Sequence, residues 1–403
     1  MKKNLLWVAL AAITMASCSS DEATIAELQS QEANAQGLMP INLSLSTTSA
    51  TVAETRGTGT VGDTTGVAKA NAFNFEDIYV LMMDVTNPTW AYTNCGGTLG
   101  EQFNNTFFCR PQLNGATGNY SLEYNGFTGD ANGALKYYPM NGDSEFFGYY
   151  IDDAAASTTT NGNPAVTVGT NDITLPFIIT GSQDIMAGKA IADSLGETIS
   201  RFSNKTARLD ITPSIQMKHM LTRFTFEVIA GDDGNNSLFI DTMAIKSFTN
   251  GTLTVAKKGA WDYDDLLVWD ETVPQQYLYL DKLSATPATF TAGKPAVEPM
   301  DTIKIGAKGT SQRVGDALFV QPGKTQYQLY LRLKQWTQGA TGVQEPCSDV
   351  YIPIKKSDAS AFERGKSYHI KVTVYGMHEV MLEAELEEWK VGGDIEVDTD
   401  MSE

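Results

Sequence analysis

Alternating apolar and polar residues run through most of this 403-residue chain. The segment 41–46 is the first clear case, with Ile41, Leu43 and Leu45 on one face and polar side chains on the other. A period of two residues is typical of β-strands that bury one face. The same period returns from Phe73 onwards, interrupted by turns rich in Gly, Asn, Asp and Pro. The pattern therefore predicts a chain built mainly from strands.

The predicted strands can be placed on the sequence. They are the stretches NFEDIYVLMMDV, EFFGYYI, NDITLPFIIT, MKHMLTRFTFEVIAG, SLFIDTMAIKSF, GTLTVAKKG, QYQLYLRL and YHIKVTVY. Pro176 predicts that the third of these lies at a sheet edge, because proline cannot donate to a β-ladder. The stretch VMLEAELEEW has the composition of a helix, but Leu382, Ala384 and Leu386 alternate with glutamates. We predict a strand there as well.

The spacing of these strands indicates the fold class. Short strands separated by turn residues favour an all-β protein with packed sheets. The pattern restarts near Pro213, which predicts two tandem β-sandwich domains, residues 57–212 and 213–403. The chain is also longer than a single core usually supports. No repeat of about 20–50 residues recurs, which argues against a propeller or a solenoid.

The first residues have the features of an export leader. Two lysines precede an apolar run at residues 5–13, which is far shorter than the roughly 20 residues of a membrane-spanning helix. Residues 1–17 are therefore predicted to be a signal peptide. The sequence MASC resembles a bacterial lipobox, which makes Cys18 the predicted lipidation site. The alternative is an unmodified cysteine after an ordinary signal. Residues 18–38 are polar and are predicted to be a tether.

Charge and cysteine content narrow the possible functions. The net charge of −19 disfavours binding to nucleic acid, because an acidic surface repels phosphate backbones. Three cysteines follow Cys18, namely Cys95, Cys109 and Cys347. Cys95 and Cys109 could close a short disulfide loop in an oxidising compartment, but three thiols do not make a disulfide framework. The fold is therefore expected to depend on apolar cores.

Signals for catalysis or metal binding are weak. The chain has no nucleophile elbow, no phosphate-binding loop and no cysteine pair with metal-ligand spacing. His219 and His369 lie on the polar side of strand patterns and are expected to be solvated, and His378 lacks a zinc-type partner. The acidic clusters at residues 232–236 and 262–265 are expected to be solvated turns. We expect no enzymatic activity, no cofactor and no metal.

Five of the six tryptophans, those that follow the predicted signal peptide, allow a different interpretation. Trp90, Trp261, Trp269, Trp336 and Trp389 could form a platform on which sugars stack. Core packing is the more common role of tryptophan in β-sandwiches. The sequence alone leaves both roles open.

The order of these features resembles the fimbrillin family, the type V pilins of Gram-negative anaerobes. The resemblance rests on the lipobox, the polar tether, the first strand, and the arginine-containing loop TRG. The stretches GSQDIMAGKA, MKHMLTRFTFEV, FERGKSYHIKVTVYGM and LEEWKVGGDIEV also look like that family. The similarity covers essentially the whole chain, and its weight comes from the order of the features.

The resemblance implies a structure and a life cycle. It implies two transthyretin-like domains, an outer-membrane lipoprotein precursor at the cell surface, and cleavage by an Arg-specific protease between Arg56 and Gly57. The segment 39–56, with Ile41, Leu43 and Leu45, would then leave with the lipid. A strand from another pilin subunit would fill the groove by strand addition. The donor candidates are Ile395 and Val397 in the segment 380–403.

Three hypotheses follow. The first is a non-enzymatic subunit of an extracellular pilus with a role in adhesion, which polymerises by protease-triggered donor-strand exchange. The second is a monomeric, surface-anchored glycan-binding lipoprotein, and the third is a lipid-anchored hydrolase. Without the resemblance, the favoured interpretation of residues 41–46 is a permanent strand, and that of Arg56 is an ordinary loop arginine.

Overall fold

The computed structural model describes fifteen parts of the chain. They are residues 37–47, 78–85, 107–113, 120–125, 137–138, 140–151, 159–160, 163–164, 166–194, 197–232, 238–280, 303–335, 337–339, 342–344 and 347–387. Every structural statement below concerns these residues.

Strands dominate the described chain. In order they are β1 (Leu43–Thr47), β2 (Ile78–Asp84), β3 (Phe107–Leu113), β4 (Tyr120–Asn125), β5 (Ser144–Ile151), β6 (Thr159–Thr160), β7 (Asn163–Pro164), β8 (Thr167–Val168), β9 (Asp172–Ile178), β10 (Ile185–Ser194), β11 (Glu197–Ile199), β12 (Ser214–His219), β13 (Thr222–Ala230), β14 (Leu238–Ser247), β15 (Asn250–Lys257), β16 (Leu267–Trp269), β17 (Gln276–Tyr279), β18 (Ile303–Lys304), β19 (Ser311–Val320), β20 (Tyr327–Gln335), β21 (Thr337–Gly339), β22 (Gly342–Gln344), β23 (Cys347–Ile354), β24 (Ser367–Val374) and β25 (Val380–Glu387). One short helix, α1 (Asn204–Ala207), and a 3₁₀ turn at Tyr263–Asp265 interrupt them. The prediction of an all-β fold is confirmed.

The first sheet closes on itself. Its strands follow the order β11-β10-β12-β1-β4-β3-β2-β5, and β5 also pairs with β10. Seven strands, β10, β12, β1, β4, β3, β2 and β5, therefore form a ring in which each strand pairs with the next. A closed ring has no open edge strand, so its backbone groups are paired all round.

An apolar cluster fills this ring. Val80 and Met82 from β2, Phe146 from β5, and Ile215 and Met217 from β12 are all buried in it. The opposite face of β5 is also covered, since Phe147 and Tyr149 pack in a second cluster. All eight residues of β5 are consequently buried. The stretch EFFGYYI is thus a strand with two buried faces, which explains why aromatic residues occupy both.

The second cluster continues into the remaining sheets. One sheet has the order β19-β13-β24-β25, a second has the order β17-β14-β20-β23, and a third has the order β16-β15-β9-β8. Phe224 from β13, Leu331 from β20 and Val372 from β24 lie in the same cluster as Tyr149 of the ring. β12 begins just after Pro213 and pairs with β1 and β10 inside the ring, while β9 pairs with β15. The division into two transthyretin-like domains at this position stays a prediction.

Two finer strand predictions can be compared with the structure. Pro176 lies in β9 opposite Thr252 of β15, and the short strand β8 on the other side pairs only with Ile173 and Thr174. The proline therefore lies beyond the end of β8, as expected for a residue that cannot donate to a ladder. Residues 380–387 of the stretch VMLEAELEEW form β25, and all eight pair with β24. Its alternation outweighed the helical propensity of its glutamates.

Candidate functional site

The first strand occupies a slot between two strands that are distant in the sequence. β1 pairs parallel with β12, with Ser44 opposite Ser214, and antiparallel with β4, with Leu43 opposite Leu122. The Ser44 amide donates to the Pro213 carbonyl at 2.9 Å. Adjacent strands lie about 4.8 Å apart, so removal of β1 would leave β4 and β12 about 10 Å apart. We call this slot the β1 groove.

Two side chains anchor the strand in the groove. Ile41 is 0% exposed and Leu43 is 3% exposed, whereas the intervening Asn42 is exposed. Both anchors belong to the cluster inside the ring, where they pack with residues of β2, β5, β10 and β12. The predicted alternation is therefore confirmed for Ile41 and Leu43. The side chain of Leu45 lies outside the described side chains, although its backbone is in β1 opposite Ile215.

A second set of contacts holds the chain just before the strand. The Asn204 side chain donates from Nδ2 to the Gly37 carbonyl at 3.1 Å, and its Oδ1 accepts from the Met39 amide at 3.1 Å. Arg208 also donates from its guanidinium to the Gly37 carbonyl. Tyr138 donates its amide to the Met39 carbonyl at 3.0 Å. We call Asn204 and Arg208 the clamp.

The position of the clamp follows from local sequence. The Ser203 amide donates to Thr206 Oγ1 at 2.8 Å, and this hydroxyl donates back to the Ser203 carbonyl at 2.9 Å. The chain just before α1 is fixed to the ring, because Phe202 exchanges two backbone hydrogen bonds with Ser144 of β5. Asn204 is buried at the start of α1, with its amide facing residues 37–39. Neither clamp residue is recognisable from the sequence, since an Asn and an Arg in a short polar stretch carry no periodic signal.

The segment before the strand is also held by packing. Leu38, the last residue of the predicted tether, is buried and packs with Tyr137. Gly37 has a φ of +69°, a conformation that glycine adopts at little cost and other residues adopt rarely. Tyr138 is buried beside the groove, and this burial raises the pKa of its phenol. The strand and the residues that the clamp holds therefore form one bound segment, residues 37–47.

Several predicted site residues lie outside the described residues. These are Cys18, Arg56, Gly57, Cys95, Ile395 and Val397. Cys109 lies in β3, where its backbone pairs with Ile78 and Tyr124, and its side chain is not described. The predictions of lipidation, cleavage, disulfide formation and strand donation stay predictions. β1 ends at Thr47, and Arg56 follows nine positions later in the sequence.

Two of the five tryptophans are described, and one lines a cleft. Trp261 packs on Phe147 at 5.1 Å between ring centroids, which is a core role. Trp269 packs edge-on against Phe177 and also lines a cleft of about 480 Å³ together with Tyr263, Asp264 and Arg364. Arg364 forms an ion pair with Asp264 at 3.0 Å. Trp90, Trp336 and Trp389 lie outside the described residues.

The histidines differ from expectation at one position. His219 was expected to be solvated but is 3% exposed, and its Nδ1 lies 2.7 Å from Asp184 Oδ2, also buried. The prediction was wrong because His219 shares the buried face of β12 with Ile215 and Met217, where the Asp184 carboxylate is its partner. His369 is partly buried and contacts Thr225 Oγ1 and Glu227 Oε2, each at 3.0 Å. His378 is exposed and contacts Ser348 Oγ at 2.8 Å.

Among the described residues, no group of three or more His, Cys, Asp or Glu residues is placed to hold a metal ion. No helix within the same residues is long and apolar enough to cross a membrane. The acidic stretch at residues 262–265 forms a turn in which Asp262 accepts from the Asp264 amide at 3.0 Å.

Comparison with known proteins finds distant structural likenesses. No family model and no curated protein matches the chain. A candidate cell adhesion protein from Bacteroides uniformis is 11% identical, with a TM-score of 0.43, over 88% of this chain and 100% of its own. A fimbrial anchor protein from Porphyromonas gingivalis is 9% identical, with a TM-score of 0.35, over 88% of this chain and 100% of its own. A fimbrial assembly protein from Parabacteroides distasonis is 10% identical, with a TM-score of 0.28, over 87% and 99%. Likenesses at these scores carry no conclusion about function.

Proposed function

We propose that this protein is a non-enzymatic subunit of a cell-surface fimbria that polymerises when its first strand is replaced by a strand of another subunit. The observation that supports this proposal is the position of β1 in the ring. It is the first described strand, it bridges β4 and β12, and it is anchored by only two described buried side chains, Ile41 and Leu43. A strand of this kind can be withdrawn without breaking any other pair in the ring.

The energetics favour refilling of an empty groove. Burial of Ile41 and Leu43 stabilises the bound strand by about 1.5–3 kcal/mol each. Each backbone hydrogen bond to β4 or β12 adds about 0.5–1.5 kcal/mol. Without β1, both neighbouring strands become open edges beside apolar surface, which is a template for strand addition. Replacement by another subunit is therefore favourable, while the resident strand blocks it.

Proteolysis is the proposed trigger. Cleavage between Arg56 and Gly57 by an Arg-specific protease would leave β1 bound only by its noncovalent contacts. The segment ahead of β1 is proposed to be anchored through lipid on Cys18 in the outer membrane, so the released strand stays with the membrane. The groove of the remaining chain is then filled by the carboxy-terminal segment of another subunit, with Ile395 and Val397 as the apolar residues.

Limited proteolysis tests the trigger. We expect digestion with an Arg-specific protease to give a product beginning at Gly57, followed by multimers that resist detergent and dissociate on heating. The variant Arg56→Ala is expected to stay monomeric under the same digestion. Arg201→Ala is the matched control, since Arg201 is an exposed arginine elsewhere in the chain and its loss leaves the cut intact. Multimers formed equally by Arg56→Ala, or a cleaved product that stays monomeric, would contradict the proposal.

The cleft beside Trp269 supports a second candidate, a glycan-binding surface protein. An aromatic ring next to the Asp264–Arg364 ion pair offers a stacking face and hydrogen-bonding groups, the two kinds of contact that small-molecule clefts use to hold a ligand. Retention on immobilised polysaccharide, lost in Trp269→Ala and kept in the exposed-tyrosine control Tyr279→Ala, would favour this function. Equal retention of all three proteins would exclude this cleft as the binding site.

A further inference from the structure

The clamp recognises backbone rather than side chains. Asn204 donates to the carbonyl of Gly37 and accepts from the amide of Met39, so it contacts residues i and i+2 of the bound segment. In a parallel sheet a neighbouring residue makes this same pair of bonds. The side chain of Asn204 thus takes the place of a residue in the neighbouring strand. Because these bonds involve main-chain atoms, the clamp can hold a different sequence in the same way.

The clamp adds one sequence requirement. Gly37 has a φ of +69°, and a Cβ at this position would lie 3.1 Å from Arg208 Nη2. A strand that binds at the clamp is therefore expected to have glycine at the position of Gly37. Its buried apolar residues would follow four and six positions later, where Ile41 and Leu43 lie in the resident strand. Asn204 and Arg208 both follow Arg56 in the sequence, so they stay with the subunit after the proposed cleavage.

The end of the chain contains a similar pattern. Residues 37–45 read GLMPINLSL, and residues 393–401 read GDIEVDTDM. Aligned on the glycines, Ile395 takes the place of Met39, Val397 that of Ile41 and Thr399 that of Leu43. The charged residues 396, 398 and 400 fall at the positions of Pro40, Asn42 and Ser44, none of which is buried.

We propose that the clamp sets the register of the incoming strand, so that residues 393–401 of a second copy of this chain bind with Gly393 at Asn204 and Arg208. This inference rests on the proposed function and specifies its partner. A register shifted by two residues would place Ile395 and Val397 in the two buried positions. It would also place Val391 at the clamp, where the positive φ is a serious strain for a β-branched residue. The clamp therefore favours the glycine-aligned register.

The tail fits the groove less well than the resident strand. Asp394 replaces Leu38, which packs on Tyr137, and Thr399 replaces the larger Leu43. The resident strand is therefore the better occupant while it remains attached, and its removal is needed before the tail can bind. This difference is consistent with assembly that starts only after cleavage.

Disulfide trapping between two copies tests the register. In β1, Ser44 lies opposite Ser214 of β12, and both side chains are partly exposed. The glycine-aligned register places Asp400 at this position, whereas the shifted register places Asp398 there. Cleaved subunits carrying Ser214→Cys are mixed with cleaved subunits carrying Asp400→Cys or Asp398→Cys, and each single variant alone is the control. We expect the cross-linked dimer with Asp400→Cys to exceed that with Asp398→Cys at least tenfold. A preference for Asp398→Cys, or multimers without either cross-link, would overturn the inference.

A peptide competition tests the glycine and the clamp separately. A peptide of residues 388–403 is added to strand-free subunits, and its binding is measured by fluorescence anisotropy. Gly393→Ala in the peptide is expected to weaken binding about fivefold, because it places a side chain at positive φ. Gly392→Ala is the matched control and is expected to have little effect. Equal effects of the two substitutions would contradict the proposed register.

The subunit side has its own control. Asn204→Ala in the subunit is expected to weaken binding of the wild-type peptide and to make the wild-type and Gly393→Ala peptides bind equally well. Lys205→Ala is the control, because Lys205 is an exposed neighbour in α1. It is expected to leave the affinities of both peptides unchanged. Asn204→Asp keeps an oxygen acceptor and serves as the second variant should Asn204→Ala fold poorly. If wild-type subunits form multimers but do not bind the wild-type peptide, the tail is not the partner of the groove and the inference is wrong. Absence of any multimer after cleavage would instead refute the proposed function itself.

Discussion

Truncation of Ile41 is the sharpest test of the idea that β1 leaves the ring as a unit. Ile41 is 0% exposed inside the ring. Replacement by alanine removes buried atoms and leaves a cavity, which costs about 2–5 kcal/mol for this kind of substitution. A factor of ten corresponds to about 1.4 kcal/mol. The equilibrium constant for strand release should therefore increase by a factor between about 30 and several thousand.

Hydrogen exchange on the uncut precursor measures this release. In Ile41→Ala we expect loss of protection at the Ser44 amide, which donates to Pro213, and along β4 and β12, which border β1. Amides of β20, in a separate sheet, should keep the protection of the wild type. Asn42→Ala is the matched control, since this neighbour is exposed and its loss should change stability by less than about 0.5 kcal/mol. Equal loss of protection in β1 and β20 would show that the strand does not leave independently, and the reasoning would then be wrong.

Three further predictions concern the scaffold. Gly148→Ala should lower the free energy of unfolding by about 1–3 kcal/mol in chemical denaturation, because the added Cβ would lie 2.8 Å from Ile215 Cγ2. Gly376→Ala is the control and should change this free energy little, because a Cβ at Gly376 would meet no atom within 4 Å. Equal effects of the two substitutions would exclude the close contact as the cause. His219→Ala should cost about 3–5 kcal/mol in the same assay, because it leaves the Asp184 carboxylate buried without its partner, while exposed His378→Ala should be nearly neutral. Hydrogen bonds from Ser311 and His369 hold the pKa of Glu227 below its usual range, so this group stabilises the fold above about pH 4.3 and the stabilisation is lost as the pH falls through the lowered pKa. Glu227→Gln should therefore show a smaller loss of stability on acidification than the wild type, and identical pH profiles would contradict this assignment.

Period-two alternation predicted most of the strands because one face of each meets a core. Leu382 and Ala384 show its strength, since alternation alone distinguished β25 from a glutamate-rich helix. In β5 both faces are buried, so its aromatic residues show no alternation even though the segment was correctly predicted as a strand. At His219 the polar residue type concealed a position on the buried face of β12, which it shares with Ile215 and Met217.

The groove was predictable only in part. Ile41 and Leu43 were identified as buried from their spacing, but their location between β4 and β12 depends on residues far away in the sequence. Asn204 and Arg208 could not be recognised from the sequence. A clamp that binds backbone atoms needs only single side chains in the right place, and these leave no repeated pattern in the sequence. Gly37 carried a faint signal as the glycine that precedes the alternating segment.

The pairing of β1 with β12 also affects the order in which the protein can fold. The Ser44 and Pro213 groups that bond across this pair are 169 positions apart in the chain. Synthesis proceeds from the amino terminus at about 5–20 residues per second, so the partner strand appears roughly 10–30 s after β1. Contacts of such long range form slowly, because the loop between them must close first. Until β12 has been made, only β4 of the two partner strands is available to β1, so one edge of β1 stays open and is exposed to aggregation.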